Sequence, residues 1–175
     1  MSNLAIAPYN LAGQVFSACN QAGATVTLIN TSTATGFILS NTFGSARKII
    51  LLNLSFTYTT VPTATAVVFL AMSVAPTPTQ VVHTTPVTIY GADGSGATTA
   101  CAARVDSSAT TPNLPVYTRA LGYSPTTPAT TGLGTLQYTG EGDIVLVPGS
   151  WLQVSYITTA PVGITNATWI EVPFV

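Results

Sequence analysis

The sequence predicts an all-β sandwich or closed barrel, and three observations support this fold class. Helix-favouring residues are scarce: the 175 residues include two Glu and one Lys, whereas Thr, Val and Ile are frequent and favour strands. About ten short apolar or alternating segments are separated by turn sequences rich in Thr, Pro, Gly and Asn. The length suits one domain, and no internal repeat is present.

The clearest alternation lies in the segment IILLNLSFTY, which begins at Ile49. One face is expected to carry Ile50, Leu52, Leu54, Phe56 and Tyr58. The opposite face carries Asn53, Ser55 and Thr57, with Ile49 and Leu51 adding apolar surface near the start. This segment therefore predicts a long strand with one buried face.

The other predicted strands are, in order, ATVTLIN, GFILS, TAVVFLAMS, PVTIY, TACAARV, GTLQYTG, DIVLV, WLQVSYITT and ATWIEVPFV. TAVVFLAMS is apolar on both faces, which is typical of a strand covered on both sides. The predicted core consists of Val26, Leu28, Leu52, Leu54, Phe56, Leu70, Ile144, Leu146, Leu152 and Val154.

Two of the chain's five acidic residues stand one residue apart in GEGDIVLVPGSW, which begins at Gly140. Glu141 and Asp143 across a glycine turn would both be solvated, so their pKa values would not be driven apart as an acid–base pair requires. Turn chemistry accounts for the segment instead. We therefore assign Gly142, Asp143, Pro148 and Gly149 a structural role in turns.

Other chemistries find little support. The lone histidine, His83, is expected at a strand end or in a loop, and GADGSG is expected to be a hairpin loop because no Lys follows it. We expect no catalytic residue, metal site or cofactor. The two cysteines, Cys19 and Cys101, are expected to be unbonded in a reducing compartment.

The charge balance also limits the partners. Four basic residues give a net charge of −1, which disfavours nucleic-acid binding. The longest apolar run is shorter than the roughly 20 residues that a membrane span needs. The first residues lack a basic leader, so we expect synthesis in the cytoplasm. Charged residues make up 5% of the chain, and such a neutral surface favours packing against other protein molecules.

Three longer stretches resemble small virion proteins of tailed bacteriophages, of the head-decoration or cement type. They are SARKIILLNLSFTYTT with TATAVVFLAMS, VDSSATTPNLPVY, and LQYTGEGDIVLVPGSWLQVSY with TWIEVPFV. The resemblance runs from about Thr35 to the C-terminus. It implies a single jelly-roll domain over residues 14–175, similar in fold to tumour necrosis factor. It also implies an N-terminal arm over residues 1–13 and a homotrimer that binds the major capsid protein or other virion proteins.

The chain has more apolar surface than one sandwich hides, and closed symmetry would cover the remainder. The candidates for contacts between subunits are Phe69, Tyr156, Trp169 and Phe174. The candidates for contact with the capsid are Asn3, Leu4, Ile6, Tyr9, Arg47 and Lys48. For Arg47 and Lys48 the leading interpretation is a solvated guard against edge-to-edge strand pairing.

Two alternatives to a structural virion protein remain. One is a tail or fibre module that recognises host carbohydrate, with Tyr90, Tyr117 and Tyr123 near loops as binding residues. The more remote one is a degenerate cupin enzyme, because GDIVLVPG resembles the turn pattern of cupins. A single histidine is too few for a cupin metal site.

Overall fold

The computed structural model describes residues 8–29, 31–60, 62–73, 81–124, 134–140 and 142–175. Of the described residues, 59% lie in strands and 3% in a helix, which confirms the predicted all-β class. A helical turn at residues 8–11 precedes the first strand. The strands are β1 Val15–Cys19, β2 Ala24–Thr25, β3 Thr27–Leu28, β4 Thr33–Asn41, β5 Arg47–Thr60, β6 Val67–Met72, β7 Val82–Pro86, β8 Ile89–Gly91, β9 Gly96–Ala97, β10 Ala103–Thr110, β11 Tyr117–Tyr123, β12 Thr135–Thr139, β13 Val145–Leu146, β14 Trp151–Ile157 and β15 Val162–Pro173.

The strands form two sheets that pack face to face. The eight-stranded sheet has the order β12-β5-β15-β1-β8-β9, with β13 beside β5 and β2 beside β15. The seven-stranded sheet has the order β11-β6-β14-β4-β10-β7, with β3 beside β14. Without the short strands and β7 to β10, the orders are β12-β5-β15-β1 and β11-β6-β14-β4. This is the strand order of an eight-stranded jelly roll.

An insertion between β6 and β11 widens this jelly roll. Strands β10 and β7 extend the seven-stranded sheet beyond β4, and β8 and β9 extend the eight-stranded sheet beyond β1. Both extensions come from residues 82–110 and therefore lie at the same edge of the sandwich. At this edge the two sheets end in short, exposed strands such as β7.

The main hydrophobic cluster fills the space between the sheets. Trp169 is fully buried there and stacks on Phe16, with 6.3 Å between the ring centroids. Since side chains alternate along a strand, the neighbouring residue Ile170 lies on the outer face, where it packs with Val15 and Leu52. Trp151 similarly lies on the outer face of the other sheet, in a cluster with Ile38 and Val81.

A β-bulge in β5 overturns part of the predicted alternation. The register between β5 and β15 shifts where Thr168 pairs with Asn53 and Trp169 pairs with Leu51, so Leu52 is the extra residue. Consequently Ile49 and Leu51 point into the main core together with Leu54, Phe56 and Tyr58. Leu52 is buried as predicted, but on the outer face.

The prediction that Leu28 belongs to the core is wrong, since 45% of its surface is exposed. The chain changes sheets at Val26: Ala24–Thr25 pairs with β15 and Thr27–Leu28 pairs with β14. This crossing ends the alternation, so Val26 is buried and Leu28 is not. The other predicted core residues are all buried.

The predicted turn around Pro148 and Gly149 is confirmed. The amide of Ser150 donates to the carbonyl of Val147 over 3.0 Å, and Gly149 has a φ of +87°. Proline followed by a residue with positive φ is the arrangement of a type II turn. The predicted hairpin loop is also present, since Tyr90 and Gly91 of β8 pair with Ala97 and Gly96 of β9.

Four of the described strands were not predicted: β1, β7, β9 and β11. In the part of the chain that the structure describes, no helix has the length and apolar character needed to cross a membrane.

Candidate functional site

A cleft of about 570 Å³ opens at the widened edge of the sandwich. Its walls come from β7, the β7–β8 connection, the start of β10 and the segment after β9, so the insertion forms all of it. The apolar lining includes Val87, Ile89 and Val105, and polar side chains lie among these residues. Both the volume and this mixture are typical of small-molecule sites.

His83 and Asp106 form the polar pair of this cleft. His83 Nδ1 lies 2.5 Å from Asp106 Oδ2. The Asp106 carboxylate is 1% exposed, and the His83 side chain is 31% exposed. Asp106 Oδ1 is buried and has no hydrogen-bond partner among the described residues. Because buried polar atoms are almost always paired, this oxygen marks a place where the chain does not satisfy its own polar groups.

Arg104 and Cys101 complete the functional side chains of the cleft. Arg104 Nη1 donates to the carbonyls of Ala103 and Cys101 over 3.2 and 3.5 Å. Burial, and secondarily the charge of Glu171, raises the pKa of the Cys101 thiol. The thiol is therefore a weaker nucleophile at neutral pH than a free cysteine.

A second cleft of about 310 Å³ adjoins this one. It lies across the segment from Pro86 to Thr88, which lines both clefts. Its other residues include Gln21 and Ser107 but no charged side chain.

Glu171 is a fully buried carboxylate beneath this region. Its two oxygens accept the backbone amides of Ala102 and Ala103 over 2.8 and 2.9 Å. Trp169 Nε1 donates to it over 3.4 Å, and Arg47 Nη1 lies 3.6 Å away. Glu171 therefore links the start of β10 to β15 by hydrogen bonds and has a structural role.

The structural role of Asp143 depends on two hydrogen bonds from other side chains. The Tyr138 hydroxyl and the Arg119 guanidinium both donate to its carboxylate. These two hydrogen bonds lower the pKa of Asp143. Gly142 beside it has a φ of +92°. The paired residue of the sequence analysis, Glu141, lies outside the described residues.

The candidate interface residues lie on different parts of the sandwich. Trp169 is 0% exposed within its own chain, so its assignment to a contact between subunits is wrong. Phe69 and Tyr156 are partly buried, and Tyr156 packs against the main core. Phe174 is 50% exposed, and the Lys48 ammonium lies 5.1 Å from the centre of its ring.

The candidate capsid contacts are described only in part. Asn3, Leu4 and Ile6 lie outside the described residues, whereas Tyr9 is 39% exposed. At Arg47 and Lys48, β5 pairs with β15, whereas the pairing of β13 with β5 covers only Ile49 and Ile50. The interpretation of Arg47 and Lys48 as an edge guard therefore stays a prediction. Arg47 also pairs with Glu171.

Among the described residues, no group of three or more His, Cys, Asp or Glu side chains lies close enough together to hold a metal ion. Cys19 and Cys101 are unbonded, as predicted.

His83 was expected at a strand end or in a loop, and no local sequence signal points to its partner, which is 23 residues away. A usable signal was Asp106 itself, since a carboxylate inside the strand sequence ARVDSSAT requires a partner if it is buried. Of the tyrosines proposed for sugar binding, Tyr90 and Tyr123 are exposed and do not line the cleft. The side chain of Tyr117 lies outside the described part of the structure.

No family model matches the chain, and a search of curated proteins finds no similar sequence. The proposed function therefore rests on the residues of this chain and their geometry.

Proposed function

We propose that this chain is a non-enzymatic structural protein of a virion, a decoration, cement or minor capsid protein that binds the capsid shell as an oligomer. The observation that carries this proposal is the jelly-roll strand order, because jelly rolls are a recurrent architecture of viral capsid proteins. The resemblance of the sequence to phage decoration proteins, which rests on strand order and turn style, favours the same assignment. Synthesis in the host cytoplasm and final location in the virion belong to this proposal.

The surface composition supports assembly rather than life as a free monomer. Only nine residues of the chain are acidic or basic, so little charge repulsion keeps copies apart. Large apolar side chains are also exposed, among them Phe43, Val116 and Phe174. Such residues are enriched in interfaces relative to the rest of a surface. The partners proposed are further copies of the chain and the major capsid protein, with no nucleic acid or membrane.

The distribution of the remaining interface candidates favours a ring. Phe69 lies on the outer face of the seven-stranded sheet, because its neighbours Val68 and Leu70 point into the core. Phe174 follows β15 of the other sheet, so each subunit offers two different surfaces. A cyclic trimer needs two such surfaces, since its contacts are heterologous.

Sedimentation equilibrium at micromolar concentration tests the oligomer. We expect three times the subunit mass for the wild type and a lower mass for Phe174→Glu and Phe69→Glu. Leu114→Glu, at a loop residue that is 51% exposed, is the matched control and should retain the wild-type mass. A wild-type protein of one subunit mass, or both Phe variants at the wild-type mass, contradicts the trimer.

Antibody labelling of purified virus particles tests the location. Label on the head surface supports the decoration assignment. Label confined to the tail tip favours the second candidate below, and particles without label contradict a virion protein.

The second candidate function is recognition of host-surface carbohydrate. The edge cleft favours it, because its volume and its mixture of apolar and polar residues suit a sugar. Lectin domains also use the jelly-roll architecture. Saturable binding on a glycan array would support this function, and an array without signal would count against it.

A further inference from the structure

Arg104 is the Lys or Arg residue that lines the edge cleft, and it has neither an ion-pair partner nor a ring partner among the described residues. Arg47 lies against Glu171, Arg119 against Asp143, and Lys48 over the Phe174 ring. Arg104 contacts two carbonyl oxygens through a single nitrogen, and no described carboxylate pairs with it. A guanidinium carries five N–H donors, so most of its donors are available.

An available guanidinium selects for a particular ligand group. Two parallel N–H bonds match the two oxygens of a carboxylate, and such charge-assisted bonds are stronger than neutral ones. A ligand rich in phosphate is disfavoured, because Arg104 is the sole Lys or Arg that lines the cleft and most of the lining is apolar. Since the Asp106 carboxylate is already paired with His83, the unpaired charge of the cleft is that of Arg104, which favours a single carboxylate.

The wall formed by His83 and Asp106 suits a hydroxyl-bearing ligand. Asp106 holds His83 through Nδ1, and among the described residues nothing bonds to the other ring nitrogen, Nε2. The neutral form with the proton on Nδ1 presents Nε2 as an acceptor, which a hydroxyl group can satisfy. Thr98 and Thr99, two hydroxyl-bearing residues, also line the cleft. The unpaired Asp106 Oδ1 shows that this wall has polar capacity beyond what the chain uses.

We propose that the edge cleft binds a carboxylated sugar. The carboxylate pairs with Arg104, hydroxyl groups bond to His83 and to the threonines, and the C–H face of the ring packs on Val87 and Ile89. A cleft of about 570 Å³ accommodates such a ligand. This inference rests on the second candidate function, carbohydrate recognition, and is independent of the capsid assignment.

Titration of the full chain with D-glucuronate, followed by amide chemical shifts in two-dimensional NMR, tests the proposal. We expect saturable shifts in residues 83–106. D-glucose, which differs in lacking the carboxylate, should bind about tenfold more weakly or less. Arg104→Ala should reduce glucuronate affinity by a similar factor. Arg119→Ala removes an equal charge outside the cleft and should leave the affinity unchanged.

Each of the other outcomes overturns a defined part of this proposal. Equal binding of glucose and glucuronate leaves carbohydrate recognition standing but removes the role of the carboxylate. Acetate that binds as tightly as glucuronate makes the cleft a simple anion site. Absence of binding by both sugars overturns this inference together with the second candidate function. Unchanged amide shifts outside residues 82–110 establish that Arg104→Ala is folded, so its loss of binding cannot be attributed to unfolding.

Discussion

Two carboxylates of this chain are almost completely buried, and they have very different surroundings. Glu171 is 0% exposed. It accepts hydrogen bonds from two backbone amides and an indole N–H, and it forms an ion pair with a guanidinium. Asp106 is 1% exposed and has one partner, His83, while its second oxygen has none in the described chain. Burial of a carboxylate is costly in both places, but the cost is offset fully in only one of them.

The two environments are close together along the chain. Glu171 binds the amides of Ala102 and Ala103 at the start of β10, and Asp106 lies in the same strand three residues after Ala103. The first site joins the insertion to the jelly roll, and the second lines the cleft that the insertion creates. A buried carboxylate with hydrogen-bond partners for both oxygens, such as Glu171, is typical of a structural joint. A buried carboxylate with an unpaired oxygen beside a cleft, such as Asp106, is a candidate for a binding site.

The largest effect is expected from Glu171→Ala. The substitution leaves the amides of Ala102 and Ala103 and the Trp169 indole buried without an acceptor. We expect the free energy of unfolding to fall by about 3 kcal/mol, in the range found when one partner of a buried charged network is removed. Urea denaturation followed by tryptophan fluorescence measures it. A loss below about 1 kcal/mol would mean that the network is not a structural joint.

This joint illustrates what the sequence could and could not predict. The strand pattern predicted the all-β class and most core residues, because alternation and turn residues are local signals. The positions of Leu28 and Leu52 were not predictable in this way, since one depends on a crossing between sheets and the other on a bulge. Trp169 and Glu171 depend on which face of β15 points inward, and this follows from pairing with β5 and β1.

The cleft was still harder to predict. Its four chemical side chains, His83, Cys101, Arg104 and Asp106, come from β7, from β10 and from the bend before β10. No motif with fixed spacing connects them, and β7 itself was not recognised as a strand because its sequence, VHTTP, shows no alternation of apolar and polar residues. Only the pairing of β7 with β10 brings His83 to Asp106.

A smaller effect is expected from His83→Ala, which takes the last described partner from Asp106. Leaving a buried acceptor unsatisfied costs roughly 1–3 kcal/mol, so we expect a loss of about 2 kcal/mol. The sequence alone had indicated only that His83 lies at a strand end or in a loop. A double-mutant cycle with Asp106→Ala sharpens the test, because the double variant should lose less than the sum of the two single losses. Strictly additive losses would show that the two side chains do not stabilise each other.

The smallest effect is expected from a third carboxylate, Asp143, whose side chain is 48% exposed. It has two good donors, Tyr138 and Arg119, but water screens the interaction with Arg119. We expect Asp143→Ala to cost less than about 1 kcal/mol at neutral pH. Burial, rather than the number of donors, would then separate this residue from Glu171.

The contribution of Asp143 to the free energy of unfolding is expected to depend on pH. The hydrogen bond from Tyr138, followed by that from Arg119, lowers the pKa of Asp143 in the folded protein. The stabilisation is therefore fully present above the unfolded-state pKa of about 3.9 and is lost as the pH falls through the folded-state value. The difference in unfolding free energy between wild type and Asp143→Ala should stay constant from neutral pH to about pH 5 and shrink below about pH 4. Tyr138→Phe, which keeps the ring and removes the largest cause of the shift, should reproduce most of this behaviour. A difference that grows on acidification would contradict the assigned role, because it would require a carboxyl that is bound more strongly when protonated.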